Sequence, residues 1–247
     1  MGEILFYIVI LLSNLIQGIT GFAGTILAMP FCIILKGFEV AKPVLNVLGI
    51  LAPLFVLIFN FKKVQWKEFF IIIAFMIPSM IAGIFLGKLF AGKAGLMYKI
   101  LGIFVIVLAI IRTIKLFTNY EENQNLPTAL KVSKDLAYLI SSGLIHGMFV
   151  CGGPLLVGYL SGKLKDKDEF RATISTVWIL LNSMIFVVDL QQGLWVGETV
   201  RIGLISIPFM FVGVAIGGIL CKRMSQKAFL ILTYILFVIS GISLLIK

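Results

Sequence analysis

The chain consists of long apolar segments separated by short polar loops. The segments cover roughly residues 4–35, 44–61, 69–90, 98–117, 136–161, 172–190, 200–220 and 228–246. Apolar runs of about 18 residues or more predict transmembrane helices, whereas the strands of a membrane barrel show short alternating segments. The pattern therefore predicts an all-α polytopic membrane protein with about eight transmembrane segments.

The two halves of this pattern match each other around the polar stretch 118–134. At an offset of 129 residues the same residue recurs in pairs, namely Ser13 and Ser142, Leu15 and Leu144, Ile16 and Ile145, Gly18 and Gly147, Gly24 and Gly153, Leu27 and Leu156, and Trp66 and Trp195. One residue of slippage later, "IPSMIAGIFLG" from Ile77 aligns with "IPFMFVGVAIG" from Ile207. We expect two homologous four-segment repeats, at 1–120 and 135–247, joined by a polar linker at 121–134.

The first segment of each repeat is broken by glycine, in "GITGFAG" and in "GMFVCGGP". As one straight helix, segment 4–35 would be about 48 Å long, whereas the hydrocarbon core is about 30 Å thick. We expect the chain to enter as a half-helix, to break near Gly18–Gly24, and to continue or turn back as a second half-helix.

The loop charges distinguish two topologies. If all eight segments cross, the 21 Lys and Arg divide 12 to 9 between the two sides; if the broken segments return to the side of entry, they divide 14 to 7. The positive-inside rule favours the second division, in which the two halves have inverted topology. Eight crossing segments with parallel halves remain the alternative. The net charge of +10 lies mainly in these loops, and we expect no nucleic-acid partner.

The broken segments also carry the candidate binding residues, because free N–H groups at the start of a half-helix favour anions. The candidates are Gln17, Thr20, Gly21, Gly24 and Thr25 in the first repeat, His146, Cys151, Gly152 and Gly153 in the second, and Asn46 and Arg171 in neighbouring spans. Several of them have an alternative role: close helix packing for the glycines and Cys151, a neutral hydrogen-bonded ring for His146, and orientation in the membrane for Arg171.

Other polar and small residues receive no binding role. We expect close helix packing for Gly83, Gly87, Gly213 and Gly217, and a position near the membrane surface, without proton coupling, for Asp189. Cys32, Cys151 and Cys221 have no metal-ligand spacing, so no metal or other cofactor is predicted. The single histidine, and the lack of a phosphate-binding loop or a carboxylate pair within a span, argue against an enzyme or an ATPase.

Two longer motifs carry a family resemblance. "GITGFAGTILAMPFCII" followed by "EVAKPVLNVL" resembles the first signature of the TauE/SafE family of sulfite exporters, and "SSGLIHGMFVCGGPLLVGYLSG" followed by "DEFRATISTVWI" resembles the second. The resemblance covers essentially the whole chain. It places the family's glycine runs at Gly21, Gly24, Gly152 and Gly153, with Ala23 and Thr25 where glycine is frequent.

The resemblance implies a multi-pass inner-membrane transporter of a small sulfur-containing anion, either sulfite or an organosulfonate. We expect the anion to bind between the two broken segments, with membrane lipid around the protein and a homo-oligomer possible in principle. The alternatives are an anion channel and a membrane enzyme or assembly factor that uses Cys151. The anion, the direction of transport, the coupling ion and the oligomeric state stay open.

Overall fold

The computed structural model describes residues 2–58, 60–89, 94–117, 128–164 and 166–221, together with Ile235, Val238, Ile242 and Leu245. These residues form helices α1 (Gly2–Thr20), α2 (Gly24–Lys36), α3 (Phe38–Ile58), α4 (Trp66–Leu89), α5 (Ala94–Phe117), α6 (Thr128–Phe149), α7 (Gly153–Lys163), α8 (Lys167–Gln191) and α9 (Gly197–Cys221). The predicted all-α class is confirmed. Half of the predicted linker 121–134 and most of the last apolar segment 228–246 lie outside the described residues, and 128–134 belong to the start of α6.

The described part of the chain has an apolar exterior and a partly polar interior. Five helices are long and apolar enough to cross a membrane, namely Gly2–Thr20, Phe38–Ile58, Trp66–Leu89, Asp168–Gln191 and Gly197–Leu220. Large apolar side chains such as Ile4, Phe85 and Leu204 are exposed, whereas Asn46, Ser142, His146, Asn182 and Asp189 are buried. This arrangement is that of a protein in lipid, where polar groups face the interior of the helix bundle.

Each broken segment turns back on itself as a helical hairpin. Lys36, at the end of α2, places its Nζ 3.0 Å from Oε1 of Glu3, at the start of α1. Lys163, at the end of α7, places its Nζ 2.8 Å from Oδ2 of Asp135, near the start of α6. We call α1–α2 the first hairpin and α6–α7 the second hairpin. In both, the two ends lie at one face of the molecule, so the structure favours a returning segment over a continuous one.

The two hairpins open at opposite faces. The first opens at the face where Glu3 also pairs with Arg201 at 2.5 Å, which we call the Glu3 face. The second opens at the face where Lys63 pairs with Asp168, which we call the Asp168 face. Helix α3, whose 21 residues span about 31 Å, runs from the first face to the second, and α8 runs back. Opposite openings agree with inverted repeats, although the homology of the halves stays a prediction.

The first turn of α8 is fixed by a helix cap at the Asp168 face. The carboxylate of Asp166 accepts hydrogen bonds from the N–H groups of Asp168 and Glu169, both at 2.9 Å. These bonds, led by the one from Glu169, hold the pKa of Asp166 below its ordinary value. This cap fixes where α8 begins. Helix α8 also carries residues that form one wall of the candidate site.

The most extensive helix contacts join the first half of the chain to the second. Helix α1 packs on α9, α4 packs on α6, and α3 packs on α8. Under the offset of about 129 residues, α1 corresponds to α6, α4 to α9 and α3 to α8. The contact of α1 with α9 is therefore the counterpart of the contact of α6 with α4, and α3 packs on its own counterpart, α8. The two halves are therefore interlocked and do not form separate bodies.

Glycine residues allow the backbones of these crossing helices to approach each other closely. A Cβ on Gly217 would stand 2.0 Å from the carbonyl oxygen of Leu15, and one on Gly83 would stand 2.2 Å from a carbonyl oxygen of α6. A Cβ on Gly213 would meet a carbonyl oxygen of α1 at 2.5 Å. The packing role predicted for these three glycines is confirmed. Gly87 differs, because its nearest neighbour would lie at 3.7 Å and a side chain fits there.

Two adjacent glycines in α9 provide a matched test of this packing. We expect Gly217→Ala to lower the thermal unfolding midpoint of the detergent-solubilised protein, because the new methyl group must push α1 away. Gly218→Ala should leave the midpoint unchanged or raise it, since nothing lies within 4 Å of a Cβ there and alanine is the better helix former. Equal midpoints for the two variants would contradict a close α1–α9 contact.

The hairpins also predict which loops share a side of the membrane. Because Lys63 pairs with Asp168, single cysteines at Lys62 and at Asp166 should react with an impermeant thiol reagent from the same side. The positive-inside rule makes that side the cytoplasm. The measurement uses a background free of native cysteine in intact cells and in inverted vesicles. Reaction of the two positions from opposite sides would exclude the inverted arrangement.

Candidate functional site

The turns at the tips of the two hairpins have the same backbone geometry. Gly21 has φ +84°, and its N–H donates to the carbonyl of Gln17 at 2.7 Å. Val150, which stands at the same position in the second repeat, has φ +56° and donates to the carbonyl of His146 at 2.7 Å. A left-handed conformation suits glycine but strains a β-branched residue. The surrounding structure therefore holds Val150 in a backbone conformation that valine disfavours.

The first tip is capped by its own side chains. The hydroxyl oxygen of Thr20 accepts hydrogen bonds from the N–H groups of Phe22 and Ala23, at 3.0 and 3.1 Å. The side-chain oxygen of Gln17 accepts from the N–H of Gly24 at 2.7 Å. Thr20 and Gln17 were predicted to contact an anion; in the structure their oxygen atoms instead stabilise the turn.

The second tip has no such caps. Helix α7 begins without a side-chain cap, and within the described ranges the N–H groups of Cys151, Gly152 and Gly153 have no hydrogen-bond partner. In the first tip, the corresponding free donors are the N–H groups of Thr25 and Ile26 at the start of α2. Both half-helices therefore begin with unpaired backbone donors, and the second tip offers more of them.

The two tips meet at a cavity in the middle of the molecule. Its walls are formed by Gln17, Phe22, Thr25, Ile26, Gly49, His146, Val150, Cys151, Gly153, Trp178 and Asn182. The tips touch closely, since a Cβ on Gly153 would lie 3.2 Å from the carbonyl oxygen of Phe22. The centre of a water molecule has about 20 Å³ in which to move, which is room for one water. A sulfur oxyanion is larger, so loading it requires the tips to separate.

Unpaired polar side chains face this cavity. Both ring nitrogens of His146, the indole Nε1 of Trp178 and the side-chain oxygen of Asn182 are buried with no hydrogen-bond partner among the described residues. The two rings stack with their centroids 4.9 Å apart. A buried polar atom without a partner costs about 1–3 kcal/mol. Such a cluster is typical of a site that a ligand or water completes.

A polar clamp joins α3 and α8 behind the cavity. The side-chain amide of Asn46 donates to the carbonyl of Asn182 at 3.0 Å, and that of Asn182 donates to the carbonyl of Gly49 at 2.8 Å. Asn46 is fully buried but does not line the cavity. The structure therefore places this predicted binding residue in the support of the site.

Arg171 lies over the tip of the first hairpin. Its Nη2 donates to the carbonyl of Gly18 at 2.9 Å, and a Cβ on Gly21 would lie 3.7 Å from its Cγ. Its Nε is buried without a partner in the described part of the chain. Arg171 does not line the cavity, but it stands on the Asp168 side of the tip that closes it.

The remaining predicted glycines close the hairpins. A Cβ on Gly24 would meet the side chain of Gln17 at 2.8 Å, and one on Gly152 would meet the carbonyl oxygen of Ser142 at 2.4 Å. Of the predicted residues, Gln17, Thr25, His146, Cys151 and Gly153 line the cavity. Among the described residues no three His, Cys, Asp or Glu side chains lie together as a metal site would require.

The sequence-based reasoning missed a buried ion pair and an aromatic wall. Lys42 places its Nζ 2.7 Å from Oδ1 of Asp189, and the Asp189 side chain is 0% exposed. Asp189, expected near the membrane surface, lies close to the end of α8 at the Glu3 face, but the antiparallel packing of α3 and α8 buries it. One signal was available: Lys42 stands 129 residues before Arg171, so both repeats carry a cation at this position. Trp178 gave no such signal.

Comparison with known proteins identifies a family. The family model for the sulfite exporter TauE/SafE matches residues 6–244. A curated relative, "Probable inner membrane transporter protein TsaS" of Comamonas testosteroni, is 25% identical over 188 residues, which cover 75% of this chain and 74% of the relative. No solved structure matches the chain.

The strained turn of the second hairpin gives a test of the tip geometry. We expect Val150→Gly to maintain or raise the thermal unfolding midpoint, because glycine adopts a positive φ without the cost of about 1 kcal/mol that a β-branched side chain incurs. The reciprocal change, Gly21→Val, should lower the midpoint. Both are measured on purified protein in the same detergent. A fall for Val150→Gly as large as that for Gly21→Val would contradict the common turn geometry.

Proposed function

The chain belongs to the TauE/SafE sulfite exporter family, and on this premise we propose that it carries a small sulfur oxyanion, sulfite or an organosulfonate, across the inner membrane. The family and the relative support a multi-pass inner-membrane transporter. The sulfur oxyanion and its place of binding are the proposal. The binding place is the cavity between the tips of the two hairpins.

One observation carries the proposal: the N-terminal ends of α2 and α7 converge on one buried cavity. Thr25 and Ile26 from the start of α2, and Gly153 from the start of α7, line it. Each helix start carries about half a positive charge and unpaired N–H groups. Two such ends attract an anion at membrane depth. They bind it through backbone N–H groups, without a charged side chain among the described residues that line the cavity.

The side chains in the cavity complete this site. The imidazole of His146 and the indole of Trp178 each present an N–H that donates to an anion oxygen, and Gly153 leaves the room in which those oxygens fit. Cys151 adds a small buried thiol to the wall. Gly21, Gly24, Gln17 and Thr20 shape the first tip, and Gly152 the second.

Arg171 has a different role in this proposal. It stands at the Asp168 face, above the first tip, and within the described ranges no carboxylate pairs with it. It draws an anion toward the cavity from that face and, by its bond to Gly18, holds the tip closed until the anion arrives. Charge at the mouth of a cleft raises the local concentration of an oppositely charged substrate.

The narrowness of the cavity favours a carrier over a channel. It has room for about one water molecule between the two tips, which is too little for an anion to pass through in this conformation. Because the hairpins open at opposite faces, separation of one tip at a time exposes the cavity to one face at a time. This is alternating access, in which one half of the protein moves against the other. The chemistry at the cavity is binding, and we assign no catalytic residue.

The proposal is tested by flux at a substituted histidine. Purified protein in proteoliposomes should take up radiolabelled sulfite or methanesulfonate against a concentration gradient. His146→Phe keeps a ring that stacks on Trp178 but removes the N–H, so we expect flux per folded molecule to fall at least tenfold. Loss of a hydrogen bond to a charged group costs about 1.5–3 kcal/mol, which is at least that factor.

His146→Gln is the matched control, because glutamine keeps a donor and is the residue that the first repeat carries at this position, Gln17. It should retain more flux than His146→Phe at an equal amount of monodisperse protein. Full flux in His146→Phe would show that the imidazole does not bind the anion. Absence of flux for every sulfur anion in the unmodified protein would overturn the proposed function itself.

A further inference from the structure

A buried ion pair, Lys42 with Asp189, lies between α3 and α8 toward the Glu3 face. Lys42 is the fifth residue of α3, as Arg171 is the fifth residue of α8. Because α3 and α8 are antiparallel, the two cations stand at opposite ends of the same helix pair, and the cavity lies between them.

The cation near the Glu3 face is neutralised, whereas the other is not. Lys42 pairs with Asp189 at 2.7 Å, and both are buried. Arg171 donates only to the backbone carbonyl of Gly18 in the described part of the chain. Arg171 is therefore available to an anion, but Lys42 becomes available only when Asp189 releases it.

The ion pair lies about one to two helical turns from the cavity. Lys42 precedes Asn46 by one helical turn, about 6 Å along α3, and Asp189 follows Asn182 by seven residues, about 10 Å along α8. Asn46 and Asn182 form the clamp, and Asn182 also lines the cavity. The second carboxylate oxygen of Asp189 is buried and has no partner among the described residues.

A contribution to stability does not by itself explain why Lys42 and Asp189 are buried together. Two charges removed from water are often no more stabilising than apolar side chains of the same volume, and ionisable residues inside a membrane are usually functional. An ammonium group that can exchange between two anionic partners is, by contrast, suited to transient binding of an anion. Because its second oxygen has no donor among the described residues, the Asp189 carboxylate depends on Lys42 for its pairing there.

We propose that Lys42 and Asp189 form a second anion subsite, in which a sulfur oxyanion moving between the cavity and the Glu3 face displaces Asp189 from Lys42. The proposal rests on the proposed function, since it takes the transported anion as the ligand. When the anion leaves, Asp189 pairs with Lys42 again and closes the path. Asp189 thus drives release of the anion, and Lys42 binds it.

The test compares affinity with maximal rate for sulfite and for methanesulfonate in proteoliposomes. In Asp189→Asn nothing competes for Lys42, so we expect the half-saturating anion concentration to fall several-fold and the maximal flux to fall with it. A purely structural role would lower the yield of folded protein and leave the half-saturating concentration unchanged. That unchanged value, at normal maximal flux per folded molecule, overturns the proposal.

A double variant keeps the test decisive if a single change prevents folding. Lys42→Met with Asp189→Asn removes both charges at nearly constant volume, so neither is left unpaired in the interior. We expect this protein to be monodisperse in detergent and to lose at least tenfold in flux. Normal flux in the double variant overturns the proposal while the proposed function stands. Absence of flux in the unmodified protein overturns both.

Discussion

The structure depends on one constraint: inside a bilayer, a helix that breaks must find partners for its freed backbone groups within the protein. This chain breaks a helix twice and folds each broken segment into a hairpin. At the first tip, Thr20 and Gln17 satisfy three N–H groups. At the second tip no side chain of the described residues does so, and Cys151 and Gly153, whose N–H groups are free there, line the cavity that both tips share. The site is therefore a consequence of how the breaks are stabilised.

The tips meet because the two halves of the chain pack into each other. Glycines at the α1–α9 and α4–α6 crossings remove the side chains that would separate the backbones, as at Gly217 and Gly83. Helix association in lipid gains little from burying apolar surface, so close backbone contact and polar bonds supply the stabilisation. The same close packing that holds each hairpin in the opposite half also brings the starts of α2 and α7 to one cavity.

Helices α3 and α8 pack on each other through buried polar side chains, and the two hairpins are arranged around this helix pair. Asn46 and Asn182 tie the two helices at the cavity, and Lys42 with Asp189 lies toward the Glu3 face. The two ends of this helix pair differ in charge, since in the described part of the chain Arg171 has no carboxylate partner whereas Lys42 has Asp189. Corresponding positions of α3 and α8 therefore carry unlike electrostatic environments.

The sequence alone determined the class of the fold and the position of the breaks. Apolar runs, loop charges and repeated glycines report on lipid, on orientation and on backbone approach, and each is a local property of the chain. Gly153 and His146 were found in this way, because they stand at a break that both halves share. The same reasoning predicted the packing glycines Gly83, Gly213 and Gly217, which the close helix crossings confirm.

Only the tertiary structure decided what each polar group contacts. Thr20 and Gln17 cap a turn, and Asn46 supports the cavity from behind, because the partner of a hydrogen bond depends on which helix lies opposite. The sequence predicted Asp189 near a membrane surface, and only the packing of the end of α8 on the start of α3 decided that it is buried against Lys42. Pairing across about 147 positions of chain leaves no local pattern, since it arises from helix packing.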